Sequence, residues 1–148
     1  MTRLSPDSYK LEPAAAEHGQ WLYQLYESSM RPVIEGAVGW VDVEQRQRFA
    51  RSYSIEQFQL ISVGTLLAGA LYTVAEPEKL HLSLLLIHAD FRNRSLGTQV
   101  IESLQAQQDR RPITLSVFKN NPALSLYNRL GFRIDAEDDH FFEMSWRP

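Results

Sequence analysis

The feature that most constrains the fold lies in the second half of the chain, where an apolar stretch passes through a short basic turn into a helical pattern. Residues Leu80–Ile87 end in four consecutive apolar residues, which predicts a strand covered on both faces. After the turn, apolar residues recur on one helical stripe, namely Leu96, Val100, Ile101 and Leu104. Unpaired N–H groups at such a helix start point outward, and the helix dipole adds about half a positive charge. The sequence therefore predicts a strand, a tight turn and a helix that together bind an anion.

The turn itself reads Arg92-Asn93-Arg94-Ser95-Leu96-Gly97-Thr98. Arg92 and Arg94 are placed to add direct contacts to a phosphate group. The turn is too short for a Walker A loop, lacks its Gly-Lys-Ser/Thr triplet, and does not match the dinucleotide pattern GxGxxG. We therefore expect a phosphate site of a different type.

Charge is distributed unevenly along the chain. Residues 92–133 contain seven basic and two acidic residues, so this segment carries +5 while the remainder carries −8. A cationic segment in an acidic protein favours a local anion site, although a solvated basic face is the alternative interpretation. The overall net charge of −3 argues against a general nucleic-acid binder.

Length and composition fix the broad class. The 148 residues correspond to about one domain, expected to span residues 1–148, with an ordinary globular balance of 44% hydrophobic and 22% charged residues. The absence of cysteine excludes a disulfide framework, a thiolate metal site and a cysteine nucleophile. No His/Asp/Glu cluster has the spacing of metal ligands, so no metal is expected. Residues 1–7 lack an apolar signal core, and the apolar runs are too short to span a bilayer, so we expect a cytoplasmic protein without a membrane partner.

Turn residues divide the chain into eleven elements in the order β-α-α-β-β-β-α-β-α-β-β. This order predicts a single α+β domain, in which a mostly antiparallel, twisted sheet of about six to seven strands is flanked by about four helices. The expected strands are Tyr9–Glu12, Phe58–Val63, Leu66–Val74, Leu80–Ile87, Ile113–Phe118, Arg133–Asp135 and Phe141–Trp146.

Two helix boundaries are marked by the residues around them. Pro32 and two glycines predict a loop over Arg31–Val41, after which Asp42 is expected to cap the second helix. Near the other end of the chain, Asn121 is expected to cap the last helix, followed by Pro122 at its first position and Gly131 just past its end.

Two segments of this region resemble the signatures of one family. Arg92-x-x-Ser95-x-Gly97 resembles the acyl-CoA pyrophosphate loop of the GNAT superfamily of N-acetyltransferases, usually written Gln/Arg-x-x-Gly-x-Gly/Ala. Asn120-x-x-Ala123-x-x-Leu126-Tyr127, followed by Gly131-Phe132, resembles the second signature of that family. The two occur in the family's order, with a strand and a helix between them. The specific resemblance covers about Leu80–Phe132.

The resemblance implies acetyl-CoA as co-substrate and a set of residues that bind it. The loop begins at Arg92 and Asn93. The pyrophosphate would be held by the backbone N–H groups of the residues that follow, namely Arg94, Ser95, Leu96, Gly97 and Thr98. The strand edge at Leu85 and Ile87 would pair with the pantetheine arm as an added strand does. Asn120 would hydrogen-bond to the same arm, and Arg129 would assist at the phosphates.

The resemblance also assigns Tyr127 as the general acid that protonates the departing CoA thiolate. Without the motif, Tyr127 would be predicted to be an aromatic residue of the core, because it shares the apolar side of the predicted helix with Ala123, Leu124 and Leu130. Asn120 has a similar structural alternative, since it is placed to join Asn121 in capping the following helix.

Ser95 is the one departure from the family's loop pattern, which has glycine there. Glycine lets the backbone approach a phosphate closely or adopt a positive φ. Serine restricts both and adds a hydroxyl that donates a hydrogen bond. We expect the site to survive this change with an altered affinity for the cofactor.

The sequence does not single out a general base. His81 and Ser83 precede Leu85 and Ile87 at the same parity, which predicts that all four share one face of the strand. Histidine titrates near neutrality, so His81 is an acceptable base, with a purely structural histidine as the alternative.

The resemblance places acceptor recognition in the first two helices and the loop between them. Glu35 is expected to pair with a cationic amine, and Trp40 or Tyr26 to pack on its carbon skeleton. A surface loop with Trp40 docked into the core is the alternative. The acidic balance outside the basic segment favours a cationic acceptor.

Together these features predict an N-acetyltransferase that moves an acetyl group directly from acetyl-CoA to a primary amine of a small molecule, peptide or protein. A catalytically silent acyl-CoA sensor is the first alternative, and a nucleotide or polyphosphate binder is the second. A homodimer is compatible with the resemblance, although the sequence shows no interface pattern.

Overall fold

The computed structural model describes residues 9–148, so the expectation about residues 1–7 lies outside the described part of the chain. One seven-stranded sheet carries four α-helices, which confirms the expected fold class and element order. The strands are β1 (Lys10–Pro13), β2 (Gln59–Val63), β3 (Leu66–Ala75), β4 (Leu80–Ile87), β5 (Ile113–Phe118), β6 (Arg133–Glu137) and β7 (Phe141–Trp146). The helices are α1 (Gly19–Val38), α2 (Asp42–Ser52), α3 (Leu96–Gln107) and α4 (Leu124–Arg129).

The sheet contains one parallel pair of strands, β4 and β5. Its strand order is β1-β2-β3-β4-β5-β7-β6, and every other neighbouring pair is antiparallel. The parallel pair is in register at only two positions, Leu80 with Ile113 and His81 with Thr114. Beyond His81 the two strands are not paired, so the sheet has a gap between the remaining parts of β4 and β5.

Helices cover both faces of the sheet and define two cores. On the α3–α4 face, α3 and α4 pack over β4 and β5 through buried residues that include Val100, Leu104 and Tyr127. On the α1–α2 face, α1 and α2 build an aromatic core that includes Tyr26 and Phe49. Each fully buried large apolar side chain in these cores contributes about 1.5–3 kcal/mol.

A β-bulge in β4 exchanges the two faces of that strand. Thr73 pairs with Leu82 and Tyr72 pairs with Leu84, so Ser83 has no partner on β3. Before the bulge, Leu80 and Leu82 belong to the core of the α3–α4 face. After it, Leu84 and Leu86 belong to the other core, while Leu85 and Ile87 pack against the first.

The expected shared face of His81 with Leu85 and Ile87 is therefore wrong. Strict alternation holds only within an unbroken strand, and the extra residue at Ser83 reverses it. His81 lies between two residues of the α3–α4 core and so faces the α1–α2 side. The continuous apolar run of β4 has a physical reason, because the strand supplies side chains to both cores.

The expected loop over Arg31–Val41 is also wrong, because α1 continues to Val38 with Pro32 inside it. An interior proline removes one helical hydrogen bond and costs about 3 kcal/mol. Burial of Val33 and Ile34 just beyond the proline offsets this cost. Gly36 is explained by packing rather than by a turn, since a Cβ there would lie 3.2 Å from Nδ2 of Asn120.

The predicted caps are displaced by one or two residues. Val41, not Asp42, is the N-cap of α2, and the Asp42 carboxylate instead accepts a 2.7 Å hydrogen bond from Nε1 of Trp40. Helix α4 begins at Leu124, two residues after the expected start. Ala123, not Asn121, is the N-cap of α4, and Asn121 instead holds the preceding turn, because its Oδ1 accepts from the N–H of Ala123 at 2.9 Å. The remaining differences are shifts of one or two residues at the strand ends, the usual scale of boundary disagreement.

Candidate active site

A large cavity crosses the sheet where β4 and β5 separate. It has a volume of about 1090 Å³, within the range of ligand-binding clefts. Its walls include Leu85, Leu126 and Tyr127 from the α3–α4 face. They also include Tyr26 and Tyr53 from the α1–α2 face. A ligand bound on one side of the sheet can therefore meet a ligand bound on the other.

The start of α3 forms one end of this cavity. Ser95 is the N-cap, and its carbonyl accepts from the N–H of Gln99 at 3.0 Å. The next three N–H groups, those of Leu96, Gly97 and Thr98, belong to the first helical turn and have no acceptor within the helix. All three residues and Ser95 line the cavity. The turn therefore has the geometry of an anion site.

Two residues of this turn adopt left-handed backbone conformations. Asn93 has φ +62° and Ser95 has φ +64°. Asparagine tolerates this region better than most residues, whereas serine meets the Cβ strain that glycine avoids. Ser95 thus holds the conformation that the family's glycine would adopt freely.

Two arginines of the cavity wall are anchored to neighbouring elements. Nε of Arg92 donates to the carbonyl of Ile87 at 3.0 Å, and its Nη2 donates to the Ser29 hydroxyl at 3.3 Å. Nη2 of Arg129 donates to the Thr98 hydroxyl at 2.9 Å. Arg94 differs, since it lies 5.6 Å over the Phe91 ring and does not line the cavity. The anion site is therefore flanked by Arg92 and Arg129.

The open edge of β4 carries backbone groups directed into the gap. The N–H of His88 donates to Ala68 of β3 at 2.7 Å. Since backbone groups alternate in direction along a strand, those of Ile87 and Leu85 point away from β3. They face the space that β5 leaves free, which is where an extended ligand would add as a strand.

Tyr127 lies in the cavity wall on the α3–α4 face. It is only 7% exposed, and its ring makes an edge contact with Phe132 at a centroid distance of 5.6 Å. Burial raises the pKa of its phenol to about 12. The phenol is therefore protonated throughout the neutral range.

Asn120 lines the cavity at the end of β5 and joins that strand to α1. Its Nδ2 donates to the carbonyl of Val33 at 2.9 Å. Asn120 therefore has a structural role, but it binds α1 and does not join Asn121 in capping the following helix. One amide hydrogen and the side-chain oxygen are not used in this bond.

His81 lines the cavity at the closed end of the gap. Its Nδ1 is 2.8 Å from the Thr114 hydroxyl, across the only paired segment of β4 and β5. Burial, reinforced by the positive charge of Lys79, lowers the pKa of His81 below its usual 6.5. The imidazole is therefore neutral at pH 7 and able to accept a proton.

Of the three residues expected to recognise the acceptor, only Tyr26 lines the cavity. Glu35 lies on the exposed surface of α1 and pairs with Arg31 at 3.4 Å. The Trp40 ring packs 6.3 Å from that of Tyr26 and lies under the Arg31 guanidinium. The helical conformation of the expected loop explains the difference, because it fixes Glu35 on the outer side of α1.

The acceptor side of the cavity contains residues that the sequence did not single out. They are Met30, Arg48, Tyr53, Ser116, Phe118 and Phe141. The sequence places Arg48 next to the apolar Phe49 on the second helix, and the structure shows that Gln45, three positions earlier, is also buried. Arg48 therefore flanks the inward side of α2 rather than its outer side.

The described residues that line the cavity give it a positive charge. They include Arg48, Arg92 and Arg129 and no carboxylate. Residues 9–148 contain no group of three His, Asp or Glu side chains arranged to hold a metal ion. No helix within the same range has both the length and the apolar character that crossing a membrane requires.

The fold is shared with solved acetyltransferases. The PaiA N-acetyltransferase from Thermoplasma acidophilum, in complex with coenzyme A, superposes with a TM-score of 0.75 at 17% identity, covering 95% of this chain and 99% of that one. An acetyltransferase from Thermus thermophilus gives 0.74 at 22% identity, with 98% and 100% covered. A GNAT-family acetyltransferase from Listeria monocytogenes gives 0.66 at 18% identity, with 99% and 100% covered. The chain therefore has the GNAT fold.

The family model described as "FR47-like protein" matches residues 64–141, more than half of the chain. The chain belongs to this FR47-like family of the GNAT superfamily, which confirms the resemblance inferred from the two sequence signatures. Comparison with curated protein sequences gives no significant match.

Proposed function

We propose that the protein is an N-acetyltransferase that moves an acetyl group from acetyl-CoA directly to a primary amine. The observation that carries this proposal is the cavity through the sheet, which joins an anion site on one face to an aromatic pocket on the other. The FR47-like family and the coenzyme A complex of the Thermoplasma relative support the same donor.

The donor would bind on the α3–α4 face. The free N–H groups at the start of α3 would hold the pyrophosphate, with Arg92 and Arg129 adding charge-assisted hydrogen bonds. The pantetheine arm would lie along the open edge of β4 and use the backbone groups of Leu85 and the N–H of Ile87, whose carbonyl already accepts from Arg92. Asn120 would contribute the amide hydrogen that Val33 does not occupy. This arrangement would bring the thioester to the gap beside Tyr127.

The reaction would proceed through a ternary complex. The amine nitrogen attacks the thioester carbonyl and forms a C–N bond, giving a tetrahedral intermediate. Its collapse breaks the C–S bond and releases the CoA sulfur, which takes a proton from the Tyr127 hydroxyl. The products are the acetamide and free CoA, and the Tyr127 phenolate regains a proton from solvent as His81 releases the one taken from the acceptor nitrogen. Since the chain has no cysteine, no thioester with the protein is available as an intermediate.

The acceptor must lose a proton before or during attack. The aromatic side chains on the acceptor side exclude water from a bound amine, which disfavours the ammonium form and thereby lowers the pKa of the amine. His81 is neutral at pH 7 and would take the remaining proton, directly or through a water molecule. A carboxylate is not needed as the general base when the pKa of the bound amine is lowered in this way.

Release of CoA thiol from acetyl-CoA, followed with a thiol-reactive dye over a panel of amines, tests this function. Tyr127→Phe should lower amine-dependent release by about 100-fold or more, the usual size of general acid catalysis. Tyr23→Phe is the matched control, because Tyr23 is buried outside the cavity and its hydroxyl has no partner among the described residues. Equal rates in both variants would remove Tyr127 from its assigned role.

An acyl-CoA sensor without turnover is the second candidate, and two observations favour it. Ser95 holds a strained conformation in the phosphate turn, and the described lining residues include no carboxylate base. The sensor would bind CoA, release no thiol with any amine, and keep its affinity in Tyr127→Phe. Absence of CoA binding in calorimetry at high micromolar concentration would contradict both candidates.

A further inference from the structure

Arg48 is a cation on the acceptor side of the cavity that no step of the proposed reaction requires. It projects from α2, on the face of the sheet opposite the anion site of α3. The two other arginines of the wall, Arg92 and Arg129, are hydrogen-bonded to Ser29 and Thr98 at the donor end. Arg48 is therefore separated in role and position from the phosphate site.

No acidic side chain of the described residues pairs with Arg48. The ion pairs of residues 9–148 involve other cations, and none of the lining residues is Asp or Glu. The positive charge of Arg48 is instead felt by the Tyr26 phenol beside it, where it opposes the effect of burial on the pKa. An exposed guanidinium at the edge of a cavity is available to pair with a charged group of a ligand.

The remaining surface on this side is aromatic and apolar. Tyr26, Tyr53 and Phe118 line it, and Phe141 adds a ring that packs 4.2 Å from that of Phe118. The carboxylate of Glu143 lies next to this surface, where it accepts a hydrogen bond from the lining Ser116, but it does not itself line the cavity. A ligand with two or more positive charges would meet rings and one arginine here, and Glu143 is already hydrogen-bonded to Ser116.

We infer that the acceptor is a small amine that also carries a carboxylate and an apolar body, and that Arg48 binds the carboxylate. This inference rests on the proposed function and specifies its substrate class. It reverses the expectation of a cationic acceptor, which rested on Glu35 and on the acidic balance outside the basic segment. The charge next to the ligand is the positive charge of Arg48, whereas the acidic residues are spread over the rest of the chain. The nearby charge has the larger effect, because salt screens interactions beyond about 10 Å.

Matched acceptors that differ only by the carboxylate provide the test. L-Phenylalanine is compared with phenethylamine, and L-lysine with cadaverine, as acceptors from acetyl-CoA. The wild-type protein should use each amino acid with a kcat/KM at least about tenfold above that of its decarboxylated analogue, the effect of one charge-assisted hydrogen bond. Arg48→Gln should abolish this ratio mainly through KM, and Arg48→Glu should invert it for cadaverine.

Arg51→Gln is the control, because Arg51 is an exposed arginine of the same helix that does not line the cavity. It should keep the wild-type ratio. Acetylation that proceeds equally well with both members of each pair, or a ratio unchanged in Arg48→Gln, would overturn the inference while leaving the proposed function intact.

A binding measurement separates the two hypotheses if no amine is acetylated. The complex with CoA is titrated in a calorimeter with N-acetyl-L-phenylalanine and with N-phenethylacetamide. Binding of the carboxylate ligand that is at least about tenfold tighter in wild type than in Arg48→Gln would support the carboxylate site although the enzymatic function had failed. Equal binding of the two ligands, or no binding of either, would overturn the inference.

Discussion

Nη2 of Arg129 donates to the hydroxyl of Thr98 at 2.9 Å and thereby joins α4 to the first turn of α3. The guanidinium is held beside three free N–H groups at the end of the cavity. A charge that is already positioned needs little reordering when a phosphate binds, which lowers the entropic cost of the contact.

Arg129→Gln should therefore weaken CoA binding by about tenfold, the effect of losing one charge-assisted hydrogen bond at an exposed site. Arg129→Lys should recover part of the affinity, because the charge remains while the planar geometry is lost. The dissociation constant is measured by calorimetry at two salt concentrations. Arg133→Gln, at an exposed position outside the cavity, is the control. Equal losses in both variants would mean that long-range charge, rather than the anchored guanidinium, determines affinity.

Ser95→Gly should stabilise the fold by about 0.5 kcal/mol. Removing the Cβ relieves about 1–2 kcal/mol of strain at φ +64°, and the greater freedom of glycine in the unfolded chain offsets about 0.5–1 kcal/mol of that gain. Urea unfolding gives the free energy of unfolding. Asn93→Gly should gain less, because asparagine is better tolerated at φ +62°. A destabilised Ser95→Gly would show that the serine hydroxyl contributes more to the turn than its backbone strain costs.

His81 should make the stability depend on pH. Burial and Lys79 lower its folded-state pKa below the unfolded value of about 6.5, so the unfolded chain binds the proton more readily. The stabilising contribution is complete above pH 6.5 and is lost as the pH falls through the lower folded-state pKa. Urea unfolding at pH 7 and pH 5 should therefore show a smaller loss of stability in His81→Gln than in wild type. Identical losses in the two proteins would contradict the lowered pKa.

Asn120→Ala should destabilise the protein by about 1 kcal/mol, because it removes the hydrogen bond to the Val33 carbonyl that holds α1 against β5. Asn120→Asp should cost more, since a carboxylate would then face that carbonyl. Thermal and urea unfolding provide the measurement. Asn128→Ala, at an exposed position of α4, should change stability by no more than about 0.5 kcal/mol. If both alanine variants retain full stability, the contact with Val33 does not restrain α1.

Local chemistry accounts for the parts of the fold that the sequence predicts well. Asn121 and Gly131 act on their own neighbours, one by accepting from a nearby N–H and the other by adopting φ +91°, so their effects can be inferred without the tertiary structure. The phosphate turn is similar, since a strand, a tight turn and a helix start follow one another directly in the chain.

The parts that the sequence does not predict depend on distant contacts. Pro32 stays inside α1 because the helix buries Val33 and Ile34, and local propensity contains no information about that burial. Ser83 has no feature that marks it as a bulge, because its partner strand decides the register. The cavity itself arises from the early separation of β4 and β5. Arg48 reaches that cavity only because α2 packs into the aromatic core of the same face through Phe49.

The extra residue in β4 also limits how the length of this strand can change. Because Ser83 is the unpaired residue, its removal would leave Leu82 and Leu84 adjacent, opposite Thr73 and Tyr72, and the last four side chains would keep their present faces. Removing Leu85 would instead transfer the side chains that follow it to the opposite side of the sheet. Ile87 would then turn away from α3, and the adjoining turn would lose the support that orients its N–H groups. A deletion of one residue should therefore be tolerated at Ser83 and be damaging between Leu84 and Ile87.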